Sequence, residues 1–290
     1  MNSFINPDIP VGRWVSDGID WFNRVFGWLL DIIGAVLGGA YDGVAAVLES
    51  PVYWVMIIIL AALAWAAAGW KVAVFTVVGF YVVRGVNQWT ATMDTLAMVL
   101  VAVVIAVLIS VPLGIWAAKS SLVSAIVKPV LDFMQAMPAL AYLVPIMVIF
   151  GIGVVPGMIA TLIFCLPPGV RFAELGIRQV NGETVEAGNA FGATPSHILF
   201  RIELPLALPT IMAGINQVIM LALSMVVLAG MAGADGLGGP VTQALQTLNV
   251  PLGVNAGVAV VILAIFLDRV TAGLGSRTPL ARARKDGSGS

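Results

Sequence analysis

The stretch Glu186-Ala187-Gly188-Asn189-Ala190-Phe191-Gly192, followed after nine residues by Ile202-Glu203-Leu204-Pro205, is one of the few polar interruptions in a chain built mostly from apolar runs. Its content is geometric: a helix-forming start, a glycine, a second short helix, and a proline where the next hydrophobic segment begins. Glu186 sits near the start of the first helical stretch, where a carboxylate complements the positive end of the helix dipole. Gly192 permits a sharp turn because glycine takes positive φ without steric cost. Ala193 to Arg201 are expected to form the second helix, with Ile198, Leu199 and Phe200 as a candidate apolar contact. Pro205 opens the following segment, where its missing N–H matters least.

Outward from this stretch the chain is an all-α integral membrane protein. Of its 290 residues, 60% are hydrophobic and 10% charged, against roughly 25% charged in soluble domains; mean hydropathy is +1.03. Seven segments are long enough to span, at about 52–69, 72–89, 95–118, 133–151, 154–171, 206–231 and 252–270. The second is the shortest apolar run, with Trp70 and Trp89 at its ends as interface anchors and Gly69-Trp70-Lys71 as a tight turn before it. Pro112, Pro138, Pro145 and the Pro167-Pro168 pair lie in or at the ends of spans, where prolines kink helices and neighbours re-satisfy the freed carbonyls.

Before the first span, Ser16 to Leu48 read as one helix. At about 100° per residue, Asp17, Asp20, Arg24 and Asp31 share one face within about 60°. Trp21, Val25, Phe26, Leu29, Ile32, Ile33 and Val36 cover the remainder. This pattern suits either a helix lying in the membrane interface or one packed on the protein's own flank. The resulting organisation is an N-terminal extracytoplasmic amphipathic extension (1–50), peripheral helices (51–90), a core (91–272) carrying a cytoplasmic loop at about 172–205, and a flexible tail (273–290).

Placement of Lys and Arg sets the orientation. With the C-terminus inside, Lys71, Lys119, Lys128, Arg171, Arg178, Arg201, Arg269, Arg277, Arg282, Arg284 and Lys285 are cytoplasmic, eleven of the fourteen basic residues. Arg13, Arg24 and Arg84 remain outside, and the first 50 residues hold six acids against two arginines. The N-terminus is therefore expected outside and residues 186–205 in the cytoplasm.

Several chemistries are excluded. No G-x-x-x-x-G-K-[ST] occurs, so the chain hydrolyses no ATP through a P-loop of its own. The Gly233, Gly236, Gly238, Gly239 cluster lacks dinucleotide spacing and reads as a flexible outer loop. His197 is the only histidine and Cys165 the only cysteine, which removes His-based metal sites and intrachain disulfides. No basic n-region precedes a short apolar core, so no secretory signal peptide is expected. A net charge of −1 offers no electrostatic footprint for nucleic acid. Asp94 and Asp268 both fall near span ends, and ionisable groups at membrane depth mark proton-coupled carriers, so an external energy source is expected. Polar residues within spans are few: Gln135 and Tyr142 on the fourth, Asn216, Gln217 and Ser224 on the sixth. Asn216, Met220 and Ser224 are spaced i, i+4, i+8. That face either lines a path for a small soluble solute or makes interhelical hydrogen bonds worth about 0.6–2 kcal/mol each. The Tyr142 ring can also face a cation.

The pattern E-A-x-x-x-x-G, nine residues, I-x-L-P resembles the EAA loop of permease subunits of bacterial ATP-binding-cassette importers, matched here by Glu186, Ala187, Gly192, Ile202, Leu204 and Pro205. Gly188 stands where a second alanine is usual, which loosens the first helical turn. Asp132-Phe133-Met134-Gln135-Ala136-Met137-Pro138, Leu166-Pro167-Pro168-Gly169-Val170-Arg171, Leu175-Gly176-Ile177-Arg178-Gln179-Val180 and the run Leu204 to Met225 are similar to the glycine betaine/proline betaine (ProW-type) permeases. The likeness covers about residues 50–272. It implies a type I ABC importer (MetI-like) transmembrane domain that moves methylated-amine osmolytes or choline. No cofactor is expected on this chain; ATP and Mg belong to a separate cytoplasmic ATPase subunit, present in two copies. The remaining implied partners are an extracytoplasmic substrate-binding protein, not fused to this chain, a second copy of the permease, and membrane lipid. In that setting residues 186–205 are the loop that docks on the ATPase, with a short apolar helix face lodging in a groove of the partner. An ABC permease for another small solute such as an amino acid, or an ion-driven carrier or channel, are the competing readings.

Overall fold

The computed structural model describes residues 11–276, and every regular element among them is helical. The chain runs α1 (Val11–Glu49), α2 (Tyr53–Ala68), α3 (Trp70–Gly85), α4 (Trp89–Lys119), α5 (Ser121–Ala136), α6 (Ala139–Phe150) and α7 (Val154–Arg178). It continues through α8 (Gly182–Ala190), α9 (Pro195–Ile198), a π turn (Leu199–Glu203), α10 (Leu204–Ala229), a 3₁₀ turn (Gly230–Ala232), α11 (Gly238–Thr247) and α12 (Val250–Ser276). The tail residues 277–290, including four of the basic residues used for orientation, lie outside the described residues.

α4, α7 and α10 form the centre, and small residues let their backbones approach. A Cβ placed on Gly114 of α4 would lie 2.6 Å from the Val170 carbonyl of α7, and one on Gly214 of α10 would lie 2.3 Å from Cβ of Phe172. The hairpin α2–α3 packs on the flank, turning at Gly69 with φ +95°. Phe80 of α3 is fully buried and meets Phe266 of α12 edge to face at 5.3 Å. Trp89 packs edge-on to Tyr53 and Phe80, both at 6.3 Å, and so belongs to the protein interior, whereas Trp70 is exposed as an anchor would be.

The count of spans differs from seven. Among the described residues, five helices have the length and hydropathy to cross a bilayer: Gly12–Glu49, Trp89–Lys119, Val154–Arg178, Pro195–Ala232 and Val250–Gly275. The pair α5 and α6, bent by 97°, is a broken span or a re-entrant loop, which makes the count five or six. The expected fourth span at 133–151 is therefore broken. Pro138 forces Met137 into an extended conformation (φ −80°, ψ 139°) and caps a new helix. α2 and α3 have 16 residues each, about 24 Å of helix, short of the ~20 residues a perpendicular crossing needs. α1 is a single 39-residue helix whose later part alone packs on the body, through buried Leu37, Tyr41 and Ala45. Tyr41 donates a hydrogen bond to Asp94 at 3.2 Å. The later part of α1 thus takes the flank-packed alternative, and the helix also has the length and hydropathy to cross, which neither alternative included.

The glycine cluster at 233–239 is not a loose loop. A Cβ on Gly230 would come within 2.1 Å of the Gly238 backbone, and the amide of Leu237 donates to the Thr95 hydroxyl at 2.8 Å. The glycines serve backbone contact between α10 and the start of α11, a helix the sequence reading did not anticipate.

Candidate functional site

The loop starts at Asn181, whose side chain accepts a hydrogen bond from the Glu183 amide at 2.9 Å and caps α8. The acidic residue in the first turn is thus Glu183. Glu186 lies in the middle of the helix and is exposed, so its expected position at the helix start is corrected by one turn. Gly192 adopts φ +76° as expected. Its amide donates to the Asn189 carbonyl at 2.9 Å and the next amide, of Ala193, reaches back to Gly188 at 3.1 Å, which closes the end of α8. Thr194 then accepts from the His197 amide at 3.3 Å and caps the following helix, with Pro195 in its first turn.

The second helix is not the separate element expected over Ala193 to Arg201. It begins at Pro195 and runs through the π turn into α10 without a break. Pro205 explains the π turn. It has no N–H to offer the Arg201 carbonyl one turn back, so the helix widens there, and the Leu204 amide bonds to Leu199 five residues earlier. The loop's second helix and α10 are therefore one continuous element.

The apolar contact set changes accordingly. Ile198 is only 5% exposed. A Cβ on Gly188 would lie 2.7 Å from Cδ1 of Ile202 and 3.7 Å from Cγ1 of Ile198. Gly188, the departure from the usual motif, is thus where the α9 end of the loop folds back on α8. Leu199 and Leu204 pack with Ala173, Ile177, Ala207 and Ile211 at the end of the bundle beneath the loop. Of the expected trio only Phe200 stays open, at 63% exposure, and Phe191 joins it at 93%. Sequence reasoning passed over Phe191; a phenylalanine directly before the turn glycine of a polar loop was the available signal. Ala187 is exposed on α8 beside Glu186.

Below the loop, two buried carboxylates bind the helices together. Lys119 of α4 donates to Glu203 of the π turn at 2.6 Å. Glu174 of α7 accepts from the Ser124 hydroxyl of α5 and from Arg178, both at 2.8 Å, with Lys128 at 3.5 Å. Arg178 also donates to the Ala117 carbonyl of α4 at 2.9 Å. Losing the partner of a buried carboxylate costs up to about 3–5 kcal/mol, so α4, α5, α7 and the loop's exit act as one block. These partners were not foreseen; they are set by tertiary packing, although basic residues facing Glu174 and Glu203 at one end of an apolar chain were a hint.

The candidate path residues separate into two groups. Gln135 of α5 and Gln217 of α10 line one cavity of about 410 Å³, together with Phe164, Pro168, Arg171, Phe172 and Leu221. Asn216 points away from it. Its amide nitrogen donates to Asp268 at 3.2 Å and its oxygen accepts from the Thr271 hydroxyl at 2.7 Å, tying α10 to α12. The Ser224 hydroxyl donates to the Met220 carbonyl of its own helix at 3.0 Å, Ser224 being exposed and Met220 half-buried. The i, i+4, i+8 face is therefore divided between interhelical bonding at Asn216 and an open position at Ser224. Tyr142 is buried and its hydroxyl donates to the Met134 carbonyl across the α5–α6 break, so it braces that bend. Arg171, at the cavity, pairs with Asp132 of α5.

A family model described as a binding-protein-dependent transport system inner membrane component matches residues 110–278. The glycine betaine transport system permease protein OpuAB of Bacillus subtilis is 46% identical over 265 residues, 91% of this chain and 94% of that protein. The glycine betaine/proline betaine transport system permease protein ProW of Escherichia coli is 44% identical, covering 95% of this chain and 78% of its own length. The glycine betaine/carnitine transport permease protein GbuB of Listeria monocytogenes is 46% identical, with 91% and 95% covered. Among solved structures, an inward-facing conformation of the MetNI methionine ABC transporter aligns with a TM-score of 0.58 at 24% identity, over 70% of this chain and 95% of that one. This last likeness concerns the fold.

Proposed function

The chain belongs to the family of binding-protein-dependent transport system inner membrane components, and from that premise we propose that it is the permease subunit of an ATP-driven importer for small methylated-amine osmolytes, glycine betaine foremost. The observation that carries this reading is identity of 44–46% with permeases for glycine betaine and its relatives over nine-tenths or more of the chain.

In the proposed assembly two copies of the chain sit side by side in the cytoplasmic membrane, each with its C-terminus and the 181–203 loop on the inner side. Each docks one cytoplasmic ATPase subunit, which holds ATP and Mg. A binding protein delivers the solute to the outer face. Phe191 and Phe200, bare on a cytoplasmic loop, fit a groove of the ATPase. Closure of the two ATPase subunits on ATP displaces α8. Because the loop continues into α10 and is pinned to α4 through Glu203 and Lys119, the core helices move with it. The Gln135–Gln217 cavity lies among these helices and offers amide dipoles, aromatic faces and Arg171, whose charge is paired with Asp132, a lining suited to a small, highly soluble solute.

The test is growth. A strain without betaine uptake, carrying this chain with its ATPase and binding protein, should grow in high salt only when glycine betaine is supplied. Growth unaffected by glycine betaine would count against the osmolyte reading.

A further inference from the structure

We infer that the Asp132–Arg171 ion pair is a specificity gate that opens by exchanging partners with the two ends of a zwitterionic solute. The inference rests on the osmolyte reading above and assigns the solute's contacts.

Arg171 lines the cavity that holds Gln135 and Gln217, and Asp132 reaches it from α5, so the pair joins α5 to α7 beside the cavity. It differs from the other cytoplasmic-side ion pairs. The carboxylates of Glu174 and Glu203 have side chains only 7% exposed, whereas that of Asp132 is 68% exposed and Arg171 is 45% exposed. Ion pairs this open to solvent contribute little to stability, so fixing the helices together is not their evident use. The other lining residues are amides, aromatics, a proline and a leucine, which leaves Arg171, with Asp132 paired to it from α5, as the source of formal charge.

A betaine carries a carboxylate and a quaternary ammonium about one carbon apart. The guanidinium of Arg171 matches a carboxylate with two parallel N–H donors. The ammonium has no N–H and is held by charge and ring faces; Asp132 supplies the first, and Phe164 and Phe172 the second. One protein ion pair is thereby replaced by two protein–solute pairs, and no charge is left unpaired during passage. A solute with only one of the two charges leaves either Arg171 or Asp132 without a partner, so the pair discriminates for zwitterions after the binding protein has already selected.

The experiment compares uptake of labelled glycine betaine by the complete reconstituted complex carrying Asp132→Asn, Arg171→Gln or both, with assembly checked by co-purification of the ATPase. A gate of this kind predicts that the double neutral variant is at least tenfold slower in maximal uptake than the unsubstituted complex, with little change in half-saturation for loaded binding protein. Recovery of the double variant to near the unsubstituted rate while the single variants are impaired would show a pair that serves only itself, and would overturn the gate, as would single and double variants that all transport normally. Absence of glycine betaine uptake by the unsubstituted complex would instead sink the osmolyte reading beneath it.

Discussion

Replacing Gly192 by asparagine and, in a second variant, by valine separates a conformational demand from a packing demand. The residue sits at φ +76°, and nothing lies within 4 Å of an added Cβ. A side chain here therefore meets no neighbour, and its cost is the backbone conformation alone. For an ordinary residue the left-handed region costs roughly 1–2 kcal/mol, while asparagine visits it readily. Since 1.4 kcal/mol is a factor of ten in an equilibrium, valine should reduce the population of the correctly closed turn by about tenfold. Asparagine should change it by less than about threefold. The bundle itself lies elsewhere, so the thermal midpoint of the detergent-solubilised protein should move little in either variant. Initial rates of uptake, with the ATPase and binding protein held constant, measure the effect. Equal uptake by the valine variant and the unsubstituted protein would refute the reasoning that this turn places the docking helix. Equal losses with asparagine and valine would show that the cost is not conformational.

Three further outcomes follow from the packing. Phe191→Ser combined with Phe200→Ser, both at exposed positions, should weaken co-purification of the ATPase by about tenfold or more without lowering the thermal midpoint, in line with the ~2 kcal/mol typical of aromatic anchors. Gly214→Leu drives a Cβ to 2.3 Å from Phe172; overpacking of this kind costs about 1–3 kcal/mol or more, and membrane-extracted protein should unfold at lower temperature or fail to accumulate. Asn216→Leu removes the α10–α12 hydrogen bonds and should cost about 0.6–2 kcal/mol by thermal unfolding, while uptake persists; loss of uptake at full stability would return Asn216 to the path.

Much of this architecture is visible in local residue patterns. The apolar runs mark the long helices, and Gly192 marks the turn because no other residue type meets positive φ so cheaply. Pro138 is harder to read. Pro112, Pro145, Pro167 and Pro168 all sit inside continuous helices, and only Pro138 turns the chain, because Met137 before it goes extended while Tyr142 bonds back to Met134 across the bend. The continuity of α9 into α10 was hidden for a related reason. Pro205 reads as a helix start, and a π turn lets a helix run into it. The close approach of Ile202 to α8 uses the missing side chain at Gly188, a contact between residues fourteen positions apart that no periodicity reports. The sorting of Asn216 from Gln217, adjacent in sequence and opposite in role, was decided by where α12 packs. Likewise Glu174 and Glu203 gained their importance from helices far away in the chain.

The most direct measurement is uptake of labelled glycine betaine into proteoliposomes holding this chain, its ATPase and its loaded binding protein, with ATP inside and then withheld. The account predicts accumulation that needs ATP, the ATPase and the binding protein together. Accumulation that continues when ATP or the ATPase is omitted would contradict it and point to a carrier or channel.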